Sequence, residues 1–208
     1  MKDIIFDFDG TLANSLPVVV EVAESLLRVE ISKEQITRFQ NMTAKQILKE
    51  ARIPLYKVPG LLVKARPLLQ SRMHEVKLFK GLEREIKLLS KDYDLYVVSS
   101  NSASIINQFL QVNNLNDYFK KIYGNVGIFS KAQAIKKVTK HEGISLDQSI
   151  YIGDEVRDIE ASKKIGLPII SVTWGYNGQQ ILESYKPDFL ATKVTDLTTI
   201  INSISSKS

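Results

Sequence analysis

The chain has 208 residues and contains two histidines and no cysteine, which excludes disulfides, thiol nucleophiles, cysteine-ligated zinc and histidine-rich metal sites. A hydrophobic content of 44% suffices for one globular core with a small second lobe. We find no apolar run of about 18 residues and no signal peptide, so we expect no membrane association and a cytoplasmic location. The net charge of +5 is scattered over amphipathic helical patterns, so we expect it to attract small anionic substrates rather than nucleic acid.

The first predicted strand covers residues 4–8. Asp7 lies near its end, and Asp9 follows it directly. Residues two apart on a strand lie on the same side, so both carboxylates are expected to reach one cavity. Two carboxylates at close quarters repel each other, which favours a bound cation or a shared proton. Gly10 follows and permits a tight turn with close backbone approach to a phosphate.

The segment from residue 14 to residue 80 breaks the strand–helix pattern, because it contains no convincing strand. Its apolar spacing predicts helices over residues 16–29, 33–40, 44–51 and 58–76. A small helical lobe is therefore predicted directly after the first strand, with junctions near residues 13–15 and 78–81. Four cations in the lobe are candidates to face a cleft, although each is more often a surface charge: Arg38, Lys45, Arg52 and Arg66.

Beyond residue 80, apolar strands alternate with helical patterns. The predicted strands cover residues 95–99, 121–123, 150–152, 169–172 and 189–191, and helices are predicted at 103–113, 131–141 and 155–165. Such alternation is typical of an α/β fold with a Rossmann-like parallel sheet that is covered on both faces. Ligands in such folds bind outside the carboxyl ends of the strands.

Polar residues lie at the end of the strand predicted at 95–99 and directly after it: Ser99, Ser100, Asn101 and Ser102. They can bind an anion together with the backbone N–H groups of the next helix, or they can simply cap that helix.

Lys131 and two aspartates supply charge at the starts of two further helices. Lys131 can neutralise phosphate, or it can be an ordinary solvated lysine. Asp154 and Asp158 follow the strand at 150–152 and lie on one face if a helix begins there. Acids in a first helical turn also suit the helix dipole, which is the simpler explanation.

Four motifs in this order resemble the haloacid dehalogenase superfamily, specifically its aspartate-based, phosphoglycolate-phosphatase-like members. They are the DFDGTL run at residues 7–12, the hydroxyl at Ser99, Lys131, and the GDEVRD run at residues 153–158. The chain departs from the family pattern at Ala132, where proline is frequent, and at Asn41, where glycine is common in the inserted lobe. The run around Trp174 and Tyr176 is also similar to these members, and we interpret both side chains as packing residues.

This resemblance implies an α/β core formed by residues 1–13 and 81–208, and a helical cap formed by residues 14–80. It implies that Asp7 is the nucleophile, Asp9 the general acid and base, and Lys131 the catalytic cation. Mg²⁺ is expected on Asp7, the backbone carbonyl of Asp9 and Asp154, with Asp158 orienting a metal-bound water or pairing with Lys131. The role of Glu155 is left open. The expected phosphate-binding residues are Gly10, Thr11, Ser99, Ser100, Asn101 and Lys131.

The leading hypothesis is a magnesium-dependent phosphatase that hydrolyses a small phosphomonoester through an aspartyl-phosphate. One alternative is a phosphomutase of the sugar-phosphate type. Another, from a different class, is a non-catalytic phosphoacceptor signalling module. Dehalogenation is disfavoured, because that branch of the superfamily lacks the second aspartate, present here as Asp9.

Overall fold

A six-stranded parallel sheet forms the centre of the computed structural model, which describes residues 1–126 and 131–206. The strand order is β5-β4-β1-β6-β7-β8, and β2 and β3 form a separate antiparallel pair. The first strand of the chain therefore lies in the middle of the sheet, between two strands that come after residue 80. The strands are β1 (Asp3–Phe6), β2 (Ala13–Asn14), β3 (Lys77–Leu78), β4 (Asp94–Val98), β5 (Phe119–Tyr123), β6 (Ser149–Gly153), β7 (Ile169–Val172) and β8 (Phe189–Ala191).

Both faces of the sheet are covered, because apolar side chains alternate between them along buried strands. Ile4 and Phe6 belong to one hydrophobic cluster, and Ile5 belongs to the other. Helices α5 (Leu82–Leu89), α6 (Ala103–Val112) and α10 (Asp196–Ser205) cover the first face. Helices α7 (Lys131–Glu142), α8 (Val156–Ile165) and α9 (Gln179–Ser184) cover the second. The α/β parallel-sheet fold predicted from the sequence is confirmed.

The helices predicted between residues 14 and 80 are also present. They are α1 (Leu16–Leu27), α2 (Lys33–Gln40), α3 (Ala44–Glu50) and α4 (Val58–Ser71). Capping boxes begin α2 and α3, with Ser32 and Thr43 as the N-cap residues. Throughout residues 1–126 and 131–206, we find no helix with the length and apolarity needed to span a bilayer.

Two short strands at the ends of this helical segment were not predicted. In β2 and β3, Ala13 pairs with Leu78 and Asn14 with Lys77. Two residues per strand are too few to produce a recognisable periodicity, so the sequence gives no signal for them. Helix α4 also ends earlier than predicted, at Ser71, and a 3₁₀ turn follows at Met73–Glu75. The strand pair brings the two connections of the helical segment together beside the sheet.

Substitution of a buried residue in α6 tests the packing of the first face. Ile106 is fully buried, whereas Val112 on the same helix is 77% exposed. We expect Ile106→Ala to reduce the free energy of unfolding by about 2–5 kcal/mol, because it leaves a cavity. Val112→Ala is the matched control and should change it by less than about 0.5 kcal/mol. Urea denaturation followed by circular dichroism measures both, and equal effects would contradict this packing.

Candidate active site

The predicted site residues meet at the carboxyl edge of the sheet. Asp7, Ser99 and Asp154 directly follow β1, β4 and β6, which are neighbours in the sheet. Lys131 is the first residue of α7, and its side chain reaches Asp7 and Asp158. Separate segments of the chain thus converge on one point because the strands are parallel and adjacent.

Three buried carboxylates form the floor of the site. Asp7 is 3% exposed, Asp154 and Asp158 are fully buried, and one carboxylate oxygen from each lies within 4.8 Å of the others. Burial raises the pKa of Asp7 and, more strongly, that of Asp154, and the neighbouring carboxylates add to both shifts. The cluster therefore has more negative charge than the buried protein environment favours, which makes it a candidate cation site.

Lys131 supplies one positive charge to this cluster. Its Nζ lies 2.5 Å from Asp7 Oδ2 and forms a second ion pair with Asp158 Oδ1. Burial favours the neutral amine, but Asp158 and Asp7 outweigh it and raise the pKa of Lys131 well above its usual value. Asp158 Oδ2 accepts a hydrogen bond of 3.0 Å from the Glu155 backbone N–H. Asp158 therefore anchors Lys131, as one of its two predicted roles requires.

Asp154 is fixed by hydrogen bonds to both of its oxygens. Thr11 Oγ1 donates to Oδ1 over 2.8 Å, and the Tyr176 backbone N–H donates to Oδ2 over 2.7 Å. Gly10 lies against the same carboxylate with a φ of +77°, and a side chain there would collide with Asp154. The Thr11 hydroxyl thus contacts a predicted metal ligand, and phosphate binding by Gly10 and Thr11 stays a prediction.

Asp9 lies at the opening of the site and lines a cavity. Asn101 Nδ2 lies 3.2 Å from its Oδ2, and the Asn101 backbone N–H donates to Ser99 Oγ over 3.1 Å. Burial, followed by the charge of Asp7, raises the pKa of the Asp9 carboxyl group. Ser102, not Ser99 or Ser100, caps α6 by accepting from the Ile105 backbone N–H. The hydroxyl of Ser99 is therefore not used as the cap of that helix.

The cavity beside Asp9 has a volume of about 610 Å³ and lies between α4 and the loop that follows β4. Side chains of α4 such as Leu62 and Leu69 form an apolar wall, and Ser100 and Asn101 lie on the opposite side. Of the four cations proposed for the cleft, Arg66 is the one that lines this cavity, whereas Arg38 pairs with Glu50. Arg66 is the only lysine or arginine among the described lining residues.

Several residues of the site were missed or left unassigned by the sequence analysis. Glu155 forms an ion pair with Arg157, which also interacts electrostatically with Asp7 and Asp158. The loop from 174 to 178 binds the helical segment, because Gln40 Nε2 donates to Gly175 O over 2.9 Å and the Gly178 backbone N–H donates to Gln40 O over 2.8 Å. These contacts join residues more than 130 positions apart, and no local pattern reports them.

Comparisons with known proteins agree with this architecture. A family model described as "Haloacid dehalogenase-like hydrolase" matches residues 4–172. The chain is 33% identical to a phosphoglycolate phosphatase of Synechococcus elongatus, with 95% of each chain covered. It is 24% identical to a pyrophosphatase PpaX of Listeria welshimeri, again with 95% of each covered. A crystal structure described as a predicted phosphatase from Clostridium acetobutylicum has the same fold, with a TM-score of 0.82, 21% identity, and 97% and 98% of the two chains covered.

Removal of the Lys131 charge tests the electrostatics of the site. We expect Lys131→Met to reduce the free energy of unfolding by about 3–5 kcal/mol in the presence of chelator, because Asp7 and Asp158 lose their buried counter-charge. Lys137→Met is the matched control on the same helix, where the side chain is exposed. Denaturant unfolding measures both variants, and equal stability would show that the ion pairs do not hold the acid cluster.

Proposed function

Because the chain belongs to the haloacid dehalogenase-like hydrolase family, we propose that it is a magnesium-dependent phosphatase that acts through an aspartyl-phosphate intermediate on Asp7. The observation that carries the proposal is the contact of Lys131 with Asp7 and Asp158 beside Asp154, with Asp9 at the adjacent cavity. This arrangement combines a nucleophile, a fixed cation, a candidate metal site and an acid at one sheet edge.

The donor set fits Mg²⁺, which prefers oxygen ligands in octahedral geometry and keeps several waters. Asp7, Asp154 and the backbone carbonyl of Asp9 are the proposed ligands. Asp158 has both oxygens engaged by Lys131 and the Glu155 N–H, so we assign it the role of orienting Lys131 and a metal-bound water. When bound, the ion neutralises the negative charge that phosphate adds to this acidic cluster.

The reaction on Asp7 divides hydrolysis into two displacements. The Asp7 carboxylate attacks phosphorus while the Asp9 carboxyl group gives its proton to the leaving oxygen. Ionised Asp9 then removes a proton from the water that attacks the aspartyl-phosphate, which releases phosphate and restores both carboxyl groups. The charges of Asp158 and Asp7 raise the pKa of Lys131 well above its usual value, so Lys131 is proposed as the fixed cation of the site, and Ser99 with the following backbone N–H groups is proposed to bind phosphoryl oxygens.

The substrate proposed first is a small phosphomonoester such as phosphoglycolate, supported by the 33% identical phosphoglycolate phosphatase. The helical segment from 14 to 80 is proposed as a cap domain over the core formed by residues 1–13 and 81–208.

The position of Asp9 beside Asp7 favours turnover over a stable phosphoacceptor module. A phosphomutase would return the phosphoryl group to a sugar phosphate instead of releasing it. Analysis of the products formed from glucose 1-phosphate therefore distinguishes a phosphomutase from a phosphatase.

Substitution of the proposed nucleophile tests the reaction. We expect wild-type protein to release phosphate from phosphoglycolate with Mg²⁺ and not with chelator, and Asp7→Asn to lose at least about 10³-fold in kcat, because the amide cannot attack phosphorus. Asp92→Asn, at an exposed position, is the matched control and should keep wild-type activity. Magnesium-dependent turnover by Asp7→Asn at the wild-type rate would rule out this mechanism.

Arg66 provides a test of the cavity as the binding site for the leaving group. We expect Arg66→Ala to lower kcat/KM for phosphoglycolate about tenfold and to leave 2-hydroxyethyl phosphate within about twofold, because only the former has a carboxylate for the guanidinium to bind. Lys64→Ala removes an exposed charge from the same helix, outside the described cavity lining, and should affect neither substrate. A parallel loss for both substrates, or no loss, would contradict this role of Arg66.

A further inference from the structure

Asn177 connects the helical segment to the core through one buried side chain. It is 8% exposed and lies in the loop at 174–178, which follows β7. Its Nδ2 donates hydrogen bonds of 3.2 Å to two carbonyl oxygens of the helical segment, those of Gln40 and Met42. Its Oδ1 accepts a hydrogen bond of 2.9 Å from the Val156 backbone N–H, at the first residue of α8. One amide group therefore contacts both parts of the protein.

The groups around this side chain match an amide. Carbonyl oxygens only accept hydrogen bonds, and a backbone N–H only donates one. The Asn177 amide meets them with two N–H donors on one side and an oxygen on the other. An ionised aspartate has the same shape but offers oxygens alone. It would keep the contact with Val156 and would repel the carbonyl oxygens of Gln40 and Met42.

The core holds the loop at 174–178 in a fixed position. The Tyr176 backbone N–H donates to Asp154 Oδ2 over 2.7 Å, and the Asn177 backbone N–H donates to the Asp154 carbonyl oxygen over 3.3 Å. Gly175 packs so closely on Asp154 and Gly10 that a Cβ would collide with both. The donors that this loop presents to the helical segment are therefore fixed relative to the acid cluster.

The two covalent connections of the helical segment lie side by side in strands β2 and β3. Adjacent connections of this kind can act as a hinge, which leaves the orientation of the attached part to other contacts. The hydrogen bonds at residues 40–42 lie outside the strand pair, so they restrict rotation about it. Besides those from Asn177, they include one of 2.8 Å from the Gly178 backbone N–H to Gln40 O and one of 2.9 Å from Gln40 Nε2 to Gly175 O.

We propose that Asn177 is a positioning residue that docks the helical segment on the core in the orientation that substrate binding requires. The cavity beside Asp9 has walls from both parts, since Arg66 and Leu69 belong to α4 and Asn101 follows β4. A substrate that contacts both walls binds only the docked arrangement, so its apparent affinity falls with the docked fraction. This kinetic consequence rests on the proposed function, because it requires a substrate in the cavity.

Hydrogen exchange of the Gly178 backbone amide, followed by NMR without ligand, measures docking directly, because this N–H donates to Gln40 O. We expect Asn177→Asp to increase its exchange rate at least about tenfold, since the variant loses both donors to the helical segment. Gln40→Ala should increase the rate as well, from the other side of the contact. The Tyr151 amide, which donates to Pro168 O over 2.8 Å within the core, is the reference and should keep its wild-type rate.

Steady-state kinetics with phosphoglycolate and Mg²⁺ separate docking from a general structural role. We expect Asn177→Asp to raise KM about tenfold and to leave kcat within about twofold, because saturating substrate restores the docked arrangement. Asn177→Ala adds no charge and should also raise KM, which excludes repulsion of the anionic substrate as the cause. Asn113→Asp is the matched control, since Asn113 Nδ2 donates to Phe109 O over 2.8 Å on α6, and it should change neither constant.

Two results would overturn the docking role. One is wild-type exchange of the Gly178 amide in both Asn177→Asp and Gln40→Ala, and the other is a fall in kcat at unchanged KM in the Asn177 variants. If the Asn177 variants fold poorly, the Gly178 amide in Gln40→Ala decides. Absence of magnesium-dependent phosphate release by the wild type would overturn the proposed function instead, and exchange alone would then decide the docking role.

Discussion

The burial of several carboxylates at one edge of the sheet is the constraint on which the rest of the site depends. Asp7, Asp154 and Asp158 are buried close together, and burial with neighbouring negative charge raises the pKa values of Asp7 and Asp154. The fold supplies part of that charge through Lys131, and polar contacts such as those from Thr11 and the Tyr176 N–H satisfy the oxygens of Asp154. The proposed metal ion would balance further negative charge in this cluster.

The fold and the main acids of the site were predictable because each leaves a local signal. Strands β7 and β8 have the predicted bounds, and the bounds of β1, β4, β5 and β6 differ from the predicted ones by one or two residues at one or both ends. Asp7 and Asp154 directly follow apolar strands, and parallel topology then brings them together. Lys131 was weaker as a prediction, since only its spacing from the other motifs distinguished it from a solvated lysine. It forms ion pairs with Asp7 and Asp158, and its catalytic role stays a prediction.

The contacts that were not predictable join distant parts of the chain through single side chains or backbone atoms. Ser15 and Tyr176 are 161 positions apart, and neither residue type marks such a pair in a sequence. The sequence interpretation of Tyr176 as a packing residue does not include its hydroxyl contact with Ser15. The strands β2 and β3 were not predicted for a different reason. Each has only two residues, which are too few to show a periodicity.

The helical segment contacts the core at the end of α2, whereas it lines the cavity with α4. At the end of α2, the side-chain amides of Gln40 and Asn177 donate hydrogen bonds to main-chain carbonyl oxygens across the contact with the loop at 174–178, namely those of Gly175, Gln40 and Met42. At α4, by contrast, the cavity is lined by side chains such as Leu62, Arg66 and Leu69. The residues of α4 that line the cavity take no part in these hydrogen bonds, so selection can alter the proposed substrate cavity without changing the hydrogen bonds that dock α2.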